Sequence, residues 1–162
     1  MAESALLRRL AIFLRRNPWV VVGARSIWRL TRPRFSVGVV GVVLNEDNQI
    51  LMVEHVFHPY TPWGLPGGWV ERNEHPAVGV QREIQEELSL AINVDSIIAL
   101  DMDGKGHLDL AYLCTPVGVV GKLSFELLQY RWFDADSLPQ THAFNRIAIA
   151  NAMERHLAAD RV

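Results

Sequence analysis

Leu6, Leu7, Leu10, Phe13 and Leu14 recur three or four positions apart, while Arg8, Arg9, Arg15 and Arg16 fall elsewhere around the wheel. That is the period of an amphipathic helix, predicted here over residues 4–16. Asn17-Pro18 interrupts it and is placed to serve as N-cap and first residue of a second helix over 19–30, which Arg32-Pro33 ends. The pattern then changes. Residues 35–44 are rich in valine and glycine, Asn45-Glu46-Asp47-Asn48 supplies turn chemistry, and 49–55 is again strand-like, so a β-hairpin is expected. A loop rich in proline and aromatic residues follows over 57–63, then Gly64-Leu65-Pro66-Gly67-Gly68. A helix over 76–88 comes next, then strands over 92–100, 108–115 and 129–133 and a last helix over 146–157. Elements mixed in this way make an α/β class, and no repeat of 20–50 residues is visible.

Composition narrows the class. With 162 residues, 49% of them hydrophobic and 21% charged, the chain has the makings of one folded core and not the profile of disorder. Cys114 is its single cysteine, which excludes an internal disulfide and a multi-cysteine zinc site and fits a reducing compartment. Eight arginines against Glu3 give residues 1–34 a charge of +7; the whole chain carries −2, so the rest carries −9. A basic arm precedes an acidic body, a pattern compatible with docking on a partner subunit or with contact to nucleic acid or anionic lipid. No stretch approaches the ~20 apolar residues of a membrane span, and no signal peptide is convincing, so a cytoplasmic protein is expected.

The helix over 76–88 has two faces. Ala77, Val80, Ile84 and Leu88 form an apolar stripe for packing on a sheet. Glu83, Glu86 and Glu87 stand together on another side with Arg82 adjacent, although like charges at this spacing repel by about 0.2–0.5 kcal/mol per pair. Clustered glutamates alone are commonest as a solvated face. Here they follow Gly67-Gly68, where backbone can approach a ligand closely, and hard divalent cations pair one or two carboxylates with substrate phosphates. The lysine of a Walker-type phosphate loop is missing, so acidic side chains would meet phosphate through a metal.

From Gly68 the chain reads glycine, five residues, Glu74, seven residues, then Arg82-Glu83-Ile84-Gln85-Glu86-Glu87-Leu88-Ser89-Leu90. This resembles the Nudix box, with Ser89 where the family pattern has glycine and every other specified position matched. The flanks resemble the family over about residues 35–160; the basic arm lies outside. The resemblance implies a Nudix-like α/β/α sandwich with a mixed sheet over 34–162, preceded by a basic helical extension over 1–33. It implies that Glu83, Glu86, Glu87 and the Gly67 carbonyl bind metal and that Arg82 and Glu74 orient them. It also implies Mg²⁺-dependent hydrolysis of a diphosphate linkage in a nucleotide-like small molecule, with Mn²⁺ as a substitute and water attacking phosphorus. The base is Glu86 or Glu126, the latter on the loop before the strand over 129–133.

For substrate contact, Trp63, Tyr60 and His58 are the candidates in the loop entering the glycine turn, with His55, His107 and Asp109 as further cleft residues. The extra motifs of the coenzyme A and NADH specialists are missing, as is the downstream proline of many ADP-ribose enzymes. Two other readings stand beside hydrolysis of a nucleoside diphosphate derivative or triphosphate. One is a non-enzymatic nucleotide-binding module, against which the intact glutamates argue. The other is an RNA 5′-end pyrophosphohydrolase that uses the arm. A homodimer contact is expected for the arm, ahead of membrane or RNA. Ser89 is expected to alter the turn after the helix while catalysis is kept, since serine resists the positive φ that glycine accepts.

Overall fold

The computed structural model describes residues 2–32 and 34–159. Two compact units divide the chain, Met1–Arg34 and Phe35–Val162. The first holds α1 (Ala2–Arg16) and α2 (Pro18–Leu30). Pro18 opens α2, where its missing N–H costs nothing. Asn17, expected to cap α2, instead turns back: its Nδ2 donates to the Phe13 carbonyl at 2.8 Å, and α2 receives no side-chain cap. The orphan carbonyls at the end of α1 compete for the same amide and win it. Leu7, Phe13, Trp19, Ile27 and Trp28 are exposed, and the Arg32 guanidinium lies 3.5 Å over the Trp28 ring. The side chains of Leu6 and Leu10, which belong to the predicted stripe, lie outside the described set.

The second unit carries β1 (Ser36–Val43), β2 (Ile50–His55), β3 (Trp63–Gly64), β4 (Gly67–Trp69), α3 (Pro76–Leu88), β5 (Ala91–Met102), β6 (His107–Val117), β7 (Leu127–Phe133) and α4 (Ala143–Ala159). A mixed sheet has the order β4-β1-β6-β5, with β1 and β6 parallel, and an antiparallel sheet has the order β3-β2-β7. The expected hairpin of β1 with β2 does not form. A single bridge, Leu44 to Ile50, joins their ends, and the two strands run in different sheets.

The cause is visible in their burial. β1 sends Val39 and Val43 to a core under α3 and Val42 to a core under α4, while β2 sends Leu51 and Val53 to the first and Ile50 and Met52 to the second. Strands buried on both faces need covering layers on both sides, which a two-stranded ribbon in water does not supply. Val80, Ile84 and Leu88 of α3 face one core and Ala148, Ile149 and Ala152 of α4 the other, so the helices lie on opposite sides. Complete burial of Ile84 or Leu88 contributes about 1.5–3 kcal/mol each.

α3 begins at Pro76 with the His75 Nδ1 accepting from the Ala77 N–H. It ends on Ser89 in the left-handed region (φ 48°, ψ 37°), whose N–H donates to the Gln85 carbonyl. The expectation of an altered turn is therefore corrected: the turn is kept. Ser89 Oγ donates to the Lys122 carbonyl at 2.9 Å, and this bond offsets the strain of its positive φ. Gly121 N–H donates to the Leu88 carbonyl and Ser124 N–H to the Glu87 carbonyl, so the loop after β6 satisfies the open carbonyls of α3.

Candidate active site

The Gly67-Gly68 pair sits where no side chain fits. A Cβ on Gly67 (φ +150°) would lie 2.1 Å from the Val39 carbonyl oxygen, and one on Gly68 would lie 2.5 Å from the Glu83 carboxyl carbon. β4 thus runs close against both β1 and the acidic face of α3. Arg82 ties that face together. Its Nε and Nη2 donate to the two oxygens of Glu74 at 2.9 and 3.0 Å, and Nη1 donates to Glu83 at 2.9 Å and Glu86 at 3.4 Å. Nη2 also donates to the Trp69 carbonyl at 2.9 Å. The two-pronged bond to Arg82 holds the Glu74 carboxyl well below the usual range, and Glu74 in return holds the guanidinium charged.

A cleft of about 400 Å³ opens above this arrangement. Glu83, Glu87 and Glu126 line it with Gly67 and Gly68, and His55, His58, Trp63, His107 and Asp109 are on its walls. Glu86 is not among the residues that line the cleft; its side chain is 61% exposed, 3.4 Å from Arg82 Nη1. Glu87 is only 7% exposed and accepts from the Gly67 N–H at 3.0 Å. Burial, joined by Glu83, Glu126 and Glu86 nearby, pushes its carboxyl up to about 8 despite that bond. The Ser124 N–H bond to Glu87 and the Val56 N–H bond to the Glu126 carbonyl explain how Glu126, distant in sequence, reaches the same cleft.

Among the described residues no three acidic, histidine or cysteine side chains already close on one point as a metal cage. Mg²⁺ does not need one, because it keeps several waters and takes one or two carboxylates plus substrate oxygens. The glutamates and the Gly67 carbonyl offer oxygen donors, and a buried carboxyl raised to about 8 is one that a divalent cation would relieve. The residues present fit a hard divalent cation.

Of the expected substrate contacts, His58 lines the cleft 4.8 Å from the His55 ring. Trp63 also reaches it, but its ring packs edge-on against Phe133 at 5.2 Å as part of the α4-side core. Tyr60 is 93% exposed and is not among the cleft-lining residues; it lies at a shallow hollow that adjoins the cleft through Phe57, His58, Thr61 and His142. Trp69 escaped the sequence reading altogether, although it follows the glycine pair directly; it lines the cleft, 61% exposed. Asn145, at the start of α4, lines it too and is buried, donating to Thr141 Oγ1. Cys114 is buried, with its thiol pushed up to about 12 by desolvation, which keeps it out of thiolate chemistry.

Two titrating groups set a pH window for the metal-free protein. Burial, with His58 and His142 beside it, holds His55 down at about 4 from 6.5, so as pH falls below about 6.5 the unfolded chain gains a proton that the fold refuses. Glu87 is raised from 4.5 to about 8, so as pH rises above about 4.5 the unfolded chain loses a proton that the fold retains. Stability from these two groups is therefore greatest between about pH 4.5 and 6.5, and added Mg²⁺ should raise the melting temperature mainly above that window. Melting curves in chelator that stay flat from pH 5 to 8 would contradict the assignment for Glu87.

The NUDIX domain model matches residues 33–152. A MutT-like protein of Streptomyces ambofaciens is 33% identical over 112 residues, 68% of this chain and 71% of that one. An ADP-ribose pyrophosphatase of Methanocaldococcus jannaschii is 31% identical over 111 residues, 65% of either chain. The fold matches the crystal structure of an ADP-ribose pyrophosphatase from Streptococcus suis with a TM-score of 0.65 at 23% identity, covering 77% of this chain and 92% of that one.

Proposed function

From the premise that the chain belongs to the Nudix family and is a Nudix-type pyrophosphohydrolase, we propose that it cleaves the diphosphate linkage of a nucleoside diphosphate derivative or triphosphate. The cation is Mg²⁺, with Mn²⁺ able to replace it. The observation that carries this reading is the convergence of Glu83, Glu87 and Glu126 with Gly67-Gly68 on one cleft, where the burial of Glu87 among other carboxylates is the arrangement a divalent cation would relieve. Gly67 through its carbonyl, with Glu83, Glu86 and Glu87, would hold the metal. When bound, the cation neutralises charge on the diphosphate and makes water easier to deprotonate.

The protein's own groups do the rest. Arg82, clamped by Glu74, fixes Glu83 and the backbone of Trp69. Glu126, exposed and free to turn toward the cleft, or Glu86 takes the proton of the water that attacks phosphorus; the bridging P–O bond breaks and the leaving phosphate departs as an anion. The test is phosphate release from a broad panel of nucleotides and diphosphate compounds, with and without Mg²⁺. Release that needs the cation and singles out a nucleotide class supports the reading, and full activity in excess chelator overturns it.

The arm belongs to the same proposal at the level of assembly in the cytoplasm. Exposed Leu7, Phe13, Trp19, Ile27 and Trp28 make a surface that is costly to leave in water, and a second copy of the chain is the occupant we assign to it. Both cores lie entirely within residues 37–153, so removing residues 1–33 leaves them whole. The truncated protein is expected to sediment as a monomer while keeping its hydrolytic rate. Unchanged sedimentation would refute the dimer, and recovery of the full chain on anionic vesicles at low salt would reassign the arm to lipid.

A further inference from the structure

Gly38 on β1 is paired with Trp69 on one side and Asp109 on the other, so these residues form one row across three strands, on one face of the sheet. A Cβ on Gly38 would lie 2.8 Å from Asp109 Oδ1 and 3.2 Å from the His107 ring; its absence lets both side chains lean over the strand. The His107 ring stands 4.8 Å from the Trp69 indole. Because a carboxylate only accepts, His107 Nε2 is the donor in its 3.0 Å contact with Asp109 Oδ1, and in the neutral ring Nδ1 then accepts from the Ser36 hydroxyl at 3.0 Å. The imidazole is therefore held at both nitrogens and in turn fixes Asp109. Asp109 Oδ2 has no protein partner among the described residues. Arg82, through the Trp69 carbonyl, links this row to the acidic helix.

We propose that Trp69, His107 and Asp109, gathered over Gly38, form the base-recognition platform of the cleft, and that it selects a guanine-type base, one presenting two adjacent N–H donors on its pairing edge. Trp69 offers an exposed aromatic surface for stacking, which any base accepts. Asp109 adds the selection. Its fixed carboxylate can accept two neighbouring N–H groups side by side, one on the open Oδ2 and one on the lone pair of Oδ1 that His107 leaves unused. Adenine meets it with a ring acceptor beside its amino group, and uracil with a lone N–H between two carbonyl oxygens.

This inference rests on the cleft being the substrate cleft, and a metal-free binding measurement separates the two. Titration of the full chain in chelator with guanosine, adenosine and uridine 5′-monophosphates, followed by calorimetry, is expected to give guanosine monophosphate at least about tenfold tighter than the others. Asp109→Asn should remove that preference while leaving adenosine monophosphate binding within about twofold, and Trp69→Leu should weaken all three about tenfold. Melting curves of both variants check folding, and the wild-type ratio needs no variant. Equal binding of the three nucleotides to the wild type, or a folded Asp109→Asn protein that keeps the preference, overturns the platform even if metal-dependent hydrolysis is found. Guanine-selective binding without any hydrolysis would instead leave the platform standing and sink the enzymatic reading.

Discussion

Glu87→Gln and Glu86→Gln are expected to lower turnover on the best substrate by about 10²–10⁴-fold, the scale of losing a positioned acid–base group or a metal-binding carboxylate. The two should differ in stability. Glu87 is buried among carboxylates, so glutamine keeps the bond from the Gly67 N–H while removing a group that the fold must keep protonated, and the metal-free variant should melt higher than wild type above about pH 4.5, by a margin that grows up to about pH 8. Glu86 is exposed, and its replacement should hardly move the melting temperature. Turnover assays paired with melting curves in chelator separate the two effects. Near-normal turnover in both variants would show that this face of α3 is not where the chemistry happens.

Gly67→Ala should be the most damaging of the small substitutions. The new methyl would fall 2.1 Å from the Val39 carbonyl oxygen and 2.7 Å from the Val40 Cα, at a φ of +150° that side chains rarely adopt. β4 must then move off β1, at a cost of about 2–4 kcal/mol from overpacking and backbone strain. The same movement displaces the Gly67 N–H from Glu87 and shifts the carbonyl assigned to the metal, and a shift of about 1 Å near the chemistry is worth about 10²-fold in rate. Gly104 is the control, since it also has positive φ but open space around it, and alanine there meets strain alone. Denaturant melts and turnover of the folded fraction test the contrast. A Gly67→Ala protein as stable and active as Gly104→Ala would mean that β4 is not packed tightly against β1 at this point.

Both predictions concern residues that could be found in the sequence, because the spacing of Gly68, Glu74 and Arg82 to Leu90 carries the chemistry in one short segment. The α3 stripe of Val80, Ile84 and Leu88 was equally legible, since helical period and burial agree there. What failed was long-range. Residues 35–55 read as a hairpin because turn chemistry joins two strand-like runs, but the valines of β1 and the aliphatics of β2 are buried on both faces, and that burial draws the strands into separate sheets. β3 and β4 have two and three residues, too few to show any period. Trp69 was missed for a related reason: only the pairing of Gly38 with both Trp69 and Asp109 reveals that it stands beside residues forty positions later. Asn17 and Ser89 both misled for one cause, that a short polar side chain has two ways to bond and only the tertiary partners decide between them.

Ser89 and Gly121 also restrict how this chain can drift. A Cβ added to Gly121 would come 2.9 Å from the Ser89 Cβ, so the loop that carries Glu126 passes this corner only because residue 121 has no side chain. Glycine at position 89 would relieve the left-handed strain and the Cβ contact, after which alanine at 121 still meets the residue 89 carbonyl oxygen at 3.3 Å. The reverse order passes through a state with methyl and methylene groups in collision. The two positions are therefore epistatic: a lineage starting here exchanges its glycine across the gap at lower cost in one order than in the other, and the same alanine at 121 is more or less damaging according to what residue 89 has already become.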